Sequence, residues 1–411
     1  MSCVYHNLPP TMNEEFTALC DEAETLGLDP TILSALLIAP LVSDHITEAE
    51  GIVGQRLDTL RQAMRKNATP IMRLLSRLSL RLFLDYLNRK KSAVHPWQKT
   101  RWRIVLCGDD SLLVHAEESN QPDVVNIWST LYKTYRKAHD LIVLGVTIGP
   151  KSGNLFFPLW VELWHQPGQR QQTRPQRMAA ALLRLNQQLQ EIGSSLDGID
   201  FATDNGYLSP TVAKAVDSCG LVFTTRFKSS QKLTTLDGEP IVIKELLSDL
   251  IQHHPIRVDS RAETQGYYWR KDVVHPYLGQ GTLVIQRRKI RSGGFQYHYH
   301  FSQHQNAKAI TVLQLAKRRW PIEVFFRESK QQLGMLLSPD LSGGHLPYRK
   351  WAAMRGHVAI RGLLYFLLST VRTRLRWPKS EKTIGALKRR FREAFIEIFQ
   401  SLFPLNAIEN A

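Results

Sequence analysis

The chain has 411 residues, which suits two or three domains or one domain carrying insertions. Hydrophobic residues make up 43% and charged residues 22%, so a sizeable core is possible and a disordered or low-complexity chain is excluded. Lys and Arg total 53 against 37 Asp and Glu, and the net charge of +16 points to a polyanionic partner, either nucleic acid or an anionic membrane surface.

Cysteines stand at 3, 20, 107 and 219 with no C-x-x-C pair, against a disulfide framework or a cysteine zinc site. The opening MSCVYHNLPPTMNEEF has neither a basic nor an apolar signal region, so no signal peptide is expected. The longest oily stretch, Val358 to Val371, contains Arg361 and is too short to span a bilayer. No membrane partner is expected, and nucleic acid leads.

Residues 1 to 50 hold no Lys or Arg. The sign then reverses with Arg56, Arg61, Arg65, Lys66, Arg73, Arg77 and Arg81. Ile71, Leu74, Leu75, Leu78 and Leu82 recur at three and four residues, which predicts an amphipathic helix. Its arginines fall on another face, which reads either as a solvated surface or as a DNA-contacting one.

From about residue 100 the period changes. WRIVLCGDD, LIVLGVTIG and FFPLWVELW read as strands, the last two separated by a turn at 150–154. A polar loop, Gln166 to Pro175, precedes a helix over Gln176 to Ile192. GIDFATD is a fourth strand, Val212 to Asp217 a short helix and LVFTTRFK a fifth strand. Residues 229 to 305 form a β-rich excursion with Gly279, Gly281, Gly293 and Gly294 at turns, and a basic helical third follows. No internal repeat is visible.

Asp109 and Asp110 are read as closing the first strand, Asp204 as closing the fourth, and Glu323 as lying on a later helix. Carboxylates from neighbouring strand ends and a packed helix can meet at one point, where their repulsion calls for a cation. Oxygen ligands favour Mg²⁺ or Mn²⁺ over zinc, and such a site suits phosphoryl transfer. Taken singly, each acid also reads as an Asx turn or a surface residue. On the helix KRRWPIEVFFRESKQQLG, Arg319, Glu323, Arg327 and Lys330 share a face and Ile322, Phe325, Phe326 and Leu333 the opposite one. That face reads as a salt-bridge ladder or as a ligand acid between phosphate-binding cations. Pro321 predicts a helix start or kink beside Trp320. His298 and His300 share a strand face, more like a polar sheet surface than a zinc site. Tyr267, Tyr268 and Trp269 read as core packing or as a stacking platform for a base.

These motifs together resemble the DDE transposases of bacterial insertion sequences, in the group marked by a Tyr-x2-Arg-x3-Glu-x6-Lys signature. Arg319-x3-Glu323-x6-Lys330 has that spacing, with Ala316 at the tyrosine position. Asp109-Asp110-Ser111 is similar to the first acid motif and Asp204-Asn205-Gly206-Tyr207 to the second. The resemblance runs from about 100 to 365. It implies an α/β fold: a ribonuclease-H-like core with a β-rich insertion, flanked by helical N- and C-terminal regions. The expected parts are a helical N-terminal region over 1–98, the first part of the core over 99–228, the insertion over 229–305, the end of the core over 306–370 and a basic helical region over 371–411.

The resemblance also implies that Asp110, Asp204 and Glu323 bind two Mg²⁺ ions, replaceable by Mn²⁺, with Asp109 in reserve for the first ligand and Glu328 for the third. Arg319, Lys330 and Arg327 would contact DNA. The implied partners are double-stranded transposon ends and target DNA, met by a homodimer in the bacterial cytoplasm near the nucleoid. The implied reaction is hydrolysis at an inverted-repeat end, a hairpin step in many members, and attack of the freed 3′-hydroxyl on target DNA. An inactive copy that only binds DNA, or another nuclease on the same core, is the alternative.

Overall fold

A computed structural model describes residues 10–42, 57–92, 103–116, 124–129, 132–149, 155–164, 172–253, 257–259, 266–290, 292–340, 343–346, 350–374 and 383–402. The turn expected at 150–154 lies outside the described residues, as does the side chain of Tyr267.

The N-terminal region forms three helices, α1 (Pro10–Glu24), α2 (Pro30–Val42) and α3 (Leu57–Lys91). Asp29 accepts the Thr31 N–H at 2.8 Å and so caps the start of α2. On α3 the predicted stripe is the buried one: Ile71, Leu74 and Leu75 are sealed from solvent, while Arg73, Arg77 and Arg81 are exposed. Glu22 of α1 draws two of those arginines, Arg81 at 2.6 Å and Arg77 at 3.5 Å.

Strands β1 (Ile104–Val114), β2 (Val125–Ser129), β3 (Thr134–Ile148) and β4 (Leu155–Trp164) follow. Helix α4 (Arg174–Gln190) leads to β5 (Asp200–Thr203), then α5 (Pro210–Ser218) and β6 (Val222–Phe227). β2 is absent from the sequence reading because its residues, VNIWS, alternate in burial without a long apolar run. α4 begins earlier than expected. Thr173 and Gln176 form a reciprocal capping box, and Pro175 needs no N–H in the first turn.

The excursion contains β7 (Lys232–Thr234), β8 (Pro240–Val242), α6 (Ile243–His253), β9 (Arg257–Asp259), β10 (Gly266–His275), β11 (Gly279–Lys289) and β12 (Phe295–Ser302). The chain then makes α7 (Ala309–Lys317), α8 (Trp320–Gln331), a small β13 (Leu337–Asp340) and β14 (Gly343–His345) hairpin, α9 (Trp351–Arg374) and α10 (Ile384–Leu402).

Twelve strands share one sheet, with path β2-β3-β1-β5-β6-β12-β11-β10-β7-β8, β4 joined to β3 and β9 to β10. β1 runs antiparallel to β3 and parallel to β5, and β5 runs parallel to β6. The excursion continues the core sheet through the β6–β12 pairing. Parallel strands need crossovers, and α4 and α5 supply them. The C-terminal ends of such strands are the usual place for a site in an open α/β sheet.

The oily stretch of the sequence is the centre of α9, where Val358, Leu363, Leu364, Leu367 and Val371 are buried against α3 and β4. Among the described residues, no helix is long and apolar enough to cross a membrane. Helix α8 packs beside it: Ile322 and Phe325 are fully buried, each contributing about 1.5–3 kcal/mol on the usual scale for such side chains.

Candidate active site

Adjacent residues of a strand face opposite sides of the sheet. The sequence places Asp109 and Asp110 at the end of a strand, but β1 continues to Val114, so both are internal and face apart. Cys107 and Asp109 share one face. The Cys107 thiol lies 3.4 Å from Thr147 Oγ1 and 3.5 Å from the Arg318 carbonyl, so the α7–α8 corner covers that face. Burial pushes the thiol up to about 12, which leaves it unreactive at neutral pH. Gly108 faces α4, where a Cβ would meet the Met178 side chain at 2.8 Å. Glycine at 108 therefore lets α4 lie close to the strand that carries both acids.

The corner between α7 and α8 sets the Asp109 side. Pro321 fixes the start of α8, as the sequence predicts, and Arg319 holds helical angles of φ −71 and ψ −28 just before it. Its guanidinium donates to Asp109 Oδ2 and to Glu323 Oε1. One cation thus bridges the first strand and the α8 acid. Burial raises the Asp109 carboxyl to about 8; Arg319 opposes the rise, while Asp204 and Asp110 add to it. Burial alone would lower Arg319, yet the fields of Asp109, Glu323 and Asp204 outweigh it and hold the guanidinium above its ordinary value. Asp204 follows β5 directly. Its Oδ1 accepts the Gly206 N–H at 2.8 Å, and Thr225 of β6 donates to its carbonyl at 3.1 Å. The Asx-turn reading of Asp204 is therefore satisfied, and its charge also acts on Asp109 and Arg319.

Asp110 has other side-chain partners, although the charge of Asp204 raises it as it raises Asp109. It accepts the Tyr207 hydroxyl at 2.9 Å and pairs with Arg174 at 3.2 Å. Arg174 also donates to Asp140 on β3. Burial raises both carboxyls, Asp140 to about 7, with each acid also feeling the other's presence. This network ties α4, β1, β3 and the turn after β5 together. Asp109, the reserve ligand, shares Arg319 with Glu323, whereas Asp110, the first choice, pairs with Arg174 and Tyr207.

Lys330 is also placed otherwise than the helix face suggests. Its ammonium donates to Ser111 Oγ and to the Leu112 carbonyl, each at 2.7 Å, and burial lowers it to about 8. It fastens α8 to the later half of β1 rather than projecting toward solvent. Arg327 is exposed. Glu328, the reserve third acid, meets the Tyr365 hydroxyl at 3.3 Å on the side of α9.

A cleft of about 430 Å³ opens beside Glu323, lined among others by Arg226, Arg288, His298, Lys317, Arg319 and Trp320. Burial lowers Arg226, and Arg319 and Arg288 lower it further, so three guanidinium groups crowd one space. Trp320 is 56% exposed at its rim. The sequence pattern does not mark Arg226, Arg174, Asp140 and Tyr207 as site residues. Tyr207 alone carried a signal, since it follows the Asp204-Asn205-Gly206 motif. The rings of His298 and His300 lie 6.3 Å apart, tilted to each other, as expected for one sheet face. Among the described residues no three His, Cys, Asp or Glu side chains stand close enough to hold a metal as they are. Trp269 is buried and Tyr268 packs on the Val284–Val312 cluster, which is the core reading of that aromatic run.

The family described as transposase DDE domain matches residues 132–367. That span includes Asp204 and Glu323 and begins after β1. No curated protein matches. Among solved structures, the NurA nuclease from Sulfolobus solfataricus aligns at 10% identity over 67% of this chain and 86% of that one, with a TM-score of 0.24. So loose a superposition carries no argument. The family match covers more than half of the chain, and the chain belongs to the transposase DDE domain family.

Proposed function

We propose that the chain cuts DNA at inverted-repeat ends by metal-dependent hydrolysis and joins the freed 3′-hydroxyls to target DNA. The observation that carries this reading is the meeting of Asp109, Glu323 and the field of Asp204 on the single guanidinium of Arg319. Acids gathered this way need positive charge between them, and Arg319 supplies it here. The donor set is carboxylate oxygen, which fits Mg²⁺ or Mn²⁺. Asp109, Asp204 and Glu323 would hold the metal, and when bound it supplies Lewis acidity to the phosphate and activates water.

Arg319 then has a second task. Its planar, permanently charged fork can leave the carboxylates and take phosphate oxygens in the same geometry. The Arg226–Arg288 cleft beside Glu323 supplies the cationic path for the strand being cut. Three antiparallel strands followed by two parallel ones, in the order β4-β3-β1-β5-β6, support the ribonuclease-H-like reading of the core. In this reading the tie between Lys330 and β1 positions α8, and so Glu323, against the strand that carries Asp109. Assembly as a dimer on DNA belongs to the same reading.

The test is a plasmid carrying the inverted repeats that flank the coding region, incubated with Mg²⁺. Asp109→Asn, Asp204→Asn and Glu323→Gln are each expected to lower cleavage at least about a hundredfold while end binding persists. Retained cutting by any one removes that residue from the site. If Asp110→Asn abolishes cutting and Asp109→Asn does not, the opposite face is the catalytic one. Equal cutting of random DNA would favour a plain nuclease on this core.

A further inference from the structure

A second cleft, of about 530 Å³, lies along β4 and shares no residue with the acid cluster. Among the described residues β4 pairs with β3 alone; Ser79 and Ser76 of α3 already take the Pro158 carbonyl at 2.7 Å and the Leu159 carbonyl at 3.5 Å, and from Trp160 onward the outer edge carries no neighbouring strand. Trp160 and Glu162 project to one face of β4, Val161 and Leu163 to the other, and all four line this cleft. It therefore runs over the strand edge itself. Its walls are cationic. Arg73 and Arg77 come from α3 one turn apart, Arg184 from α4 and Arg355 from α9. Arg77 makes one long 3.5 Å pair with Glu22. The floor is apolar, with Leu144, Leu159, Leu185 and Val358. Glu162, the acid in the lining, pairs with Arg177 of α4 and acts more weakly on Arg355 and Arg184.

We propose that this cleft docks an extended acidic peptide, which adds to the edge of β4 as a strand and sets its carboxylates against Arg73, Arg77, Arg184 and Arg355. Three features of the groove demand an occupant of that kind. Beyond Leu159 the strand edge presents N–H and C=O groups that another extended backbone satisfies. A strand with period two places apolar side chains on the floor and acidic ones at the walls. The four arginines repel a basic segment and attract an acidic one. A DNA backbone would meet the arginines but has no amide N–H for the edge and no apolar face for the floor. The inference does not rest on the catalytic reading.

The full chain is titrated with a fluorescent peptide alternating Val and Glu, with its Val–Lys counterpart, with the Val–Glu peptide N-methylated at alternate amides, and with a short random duplex. The Val–Glu peptide is expected to bind and to slow amide exchange at 159–163. N-methylation and the Lys peptide are each expected to lose binding, and Asp109→Asn to bind like the wild type. Arg73→Glu combined with Arg184→Glu, both on exposed helix faces, is expected to weaken binding by at least about tenfold. Absence of peptide binding overturns the proposal, as does equal binding of the N-methylated peptide, which would show charge attraction without strand pairing. Protection of 159–163 by the duplex instead would make the groove a DNA contact. The N-methylation comparison uses wild-type protein, so it decides even if the double variant fails to fold.

Discussion

Lys330 and Asp109 show how a side chain's task is settled by what lies opposite it. On the helix alone, Lys330 shares a face with Arg319, Glu323 and Arg327 and reads as a phosphate contact. In the fold its ammonium meets Ser111 Oγ and the Leu112 carbonyl. Lys330→Met leaves that buried carbonyl and hydroxyl without their donor, so unfolding should become easier by about 1–3 kcal/mol. The salt slope of DNA binding should stay unchanged, because no phosphate contact is removed. A shallower slope in a fully folded variant would restore the phosphate role. Two neighbouring acids look alike in sequence, which leaves Asp109 and Asp110 undistinguished there. Their strand faces differ, and only one faces the α8 corner.

At the level of elements, the strands of the excursion carry three imidazoles that burial keeps neutral. Burial lowers His275 to about 4, His298 to about 4 with Arg226 and Arg288 adding to the fall, and His300 to about 3 with the same arginines and His298 contributing. A base whose native pKa is depressed binds fewer protons folded than unfolded. The stability it lends is present above its unfolded value near 6.5 and is lost as pH falls through about 4. Urea midpoints measured across this window should therefore drop on the acid side. His300→Gln should flatten the drop; an unchanged profile would remove that imidazole as a cause. The β-rich character of this segment was legible from TLVIQRRKI and FQYHYHF. Helix α6 within it was not anticipated, although Ile243, Leu246, Leu247 and Leu250 have helical spacing. The short strand β2 was missed because five residues of alternating exposure leave little periodic signal.

For the molecule as a whole, the net charge of +16 and the family match place DNA first among partners. The acid cluster adds a linkage that can be measured without DNA. A divalent ion bound only by the folded chain raises its melting temperature by mass action. Mg²⁺ or Mn²⁺ should thus raise the midpoint of the wild type, and chelation should reverse the rise. Asp109→Asn should abolish the response and Asp110→Asn should not. An equal response from both variants would detach the ion from the Asp109 face.

Most strands and helices of the core, the basic surplus and the candidate acids at 109, 110, 204 and 323 are readable from local pattern, because periodicity and turn chemistry act over a few residues. The resemblance to transposases came from the Arg319–Glu323–Lys330 spacing and reached the family to which the chain belongs. Which of two adjacent aspartates meets Glu323, where Arg319 puts its guanidinium and why Lys330 turns inward depend on partners more than two hundred residues away. Strand alternation states that Asp109 and Asp110 face apart, but only the packing of α8 on one side of β1 and α4 on the other gives each face its chemistry.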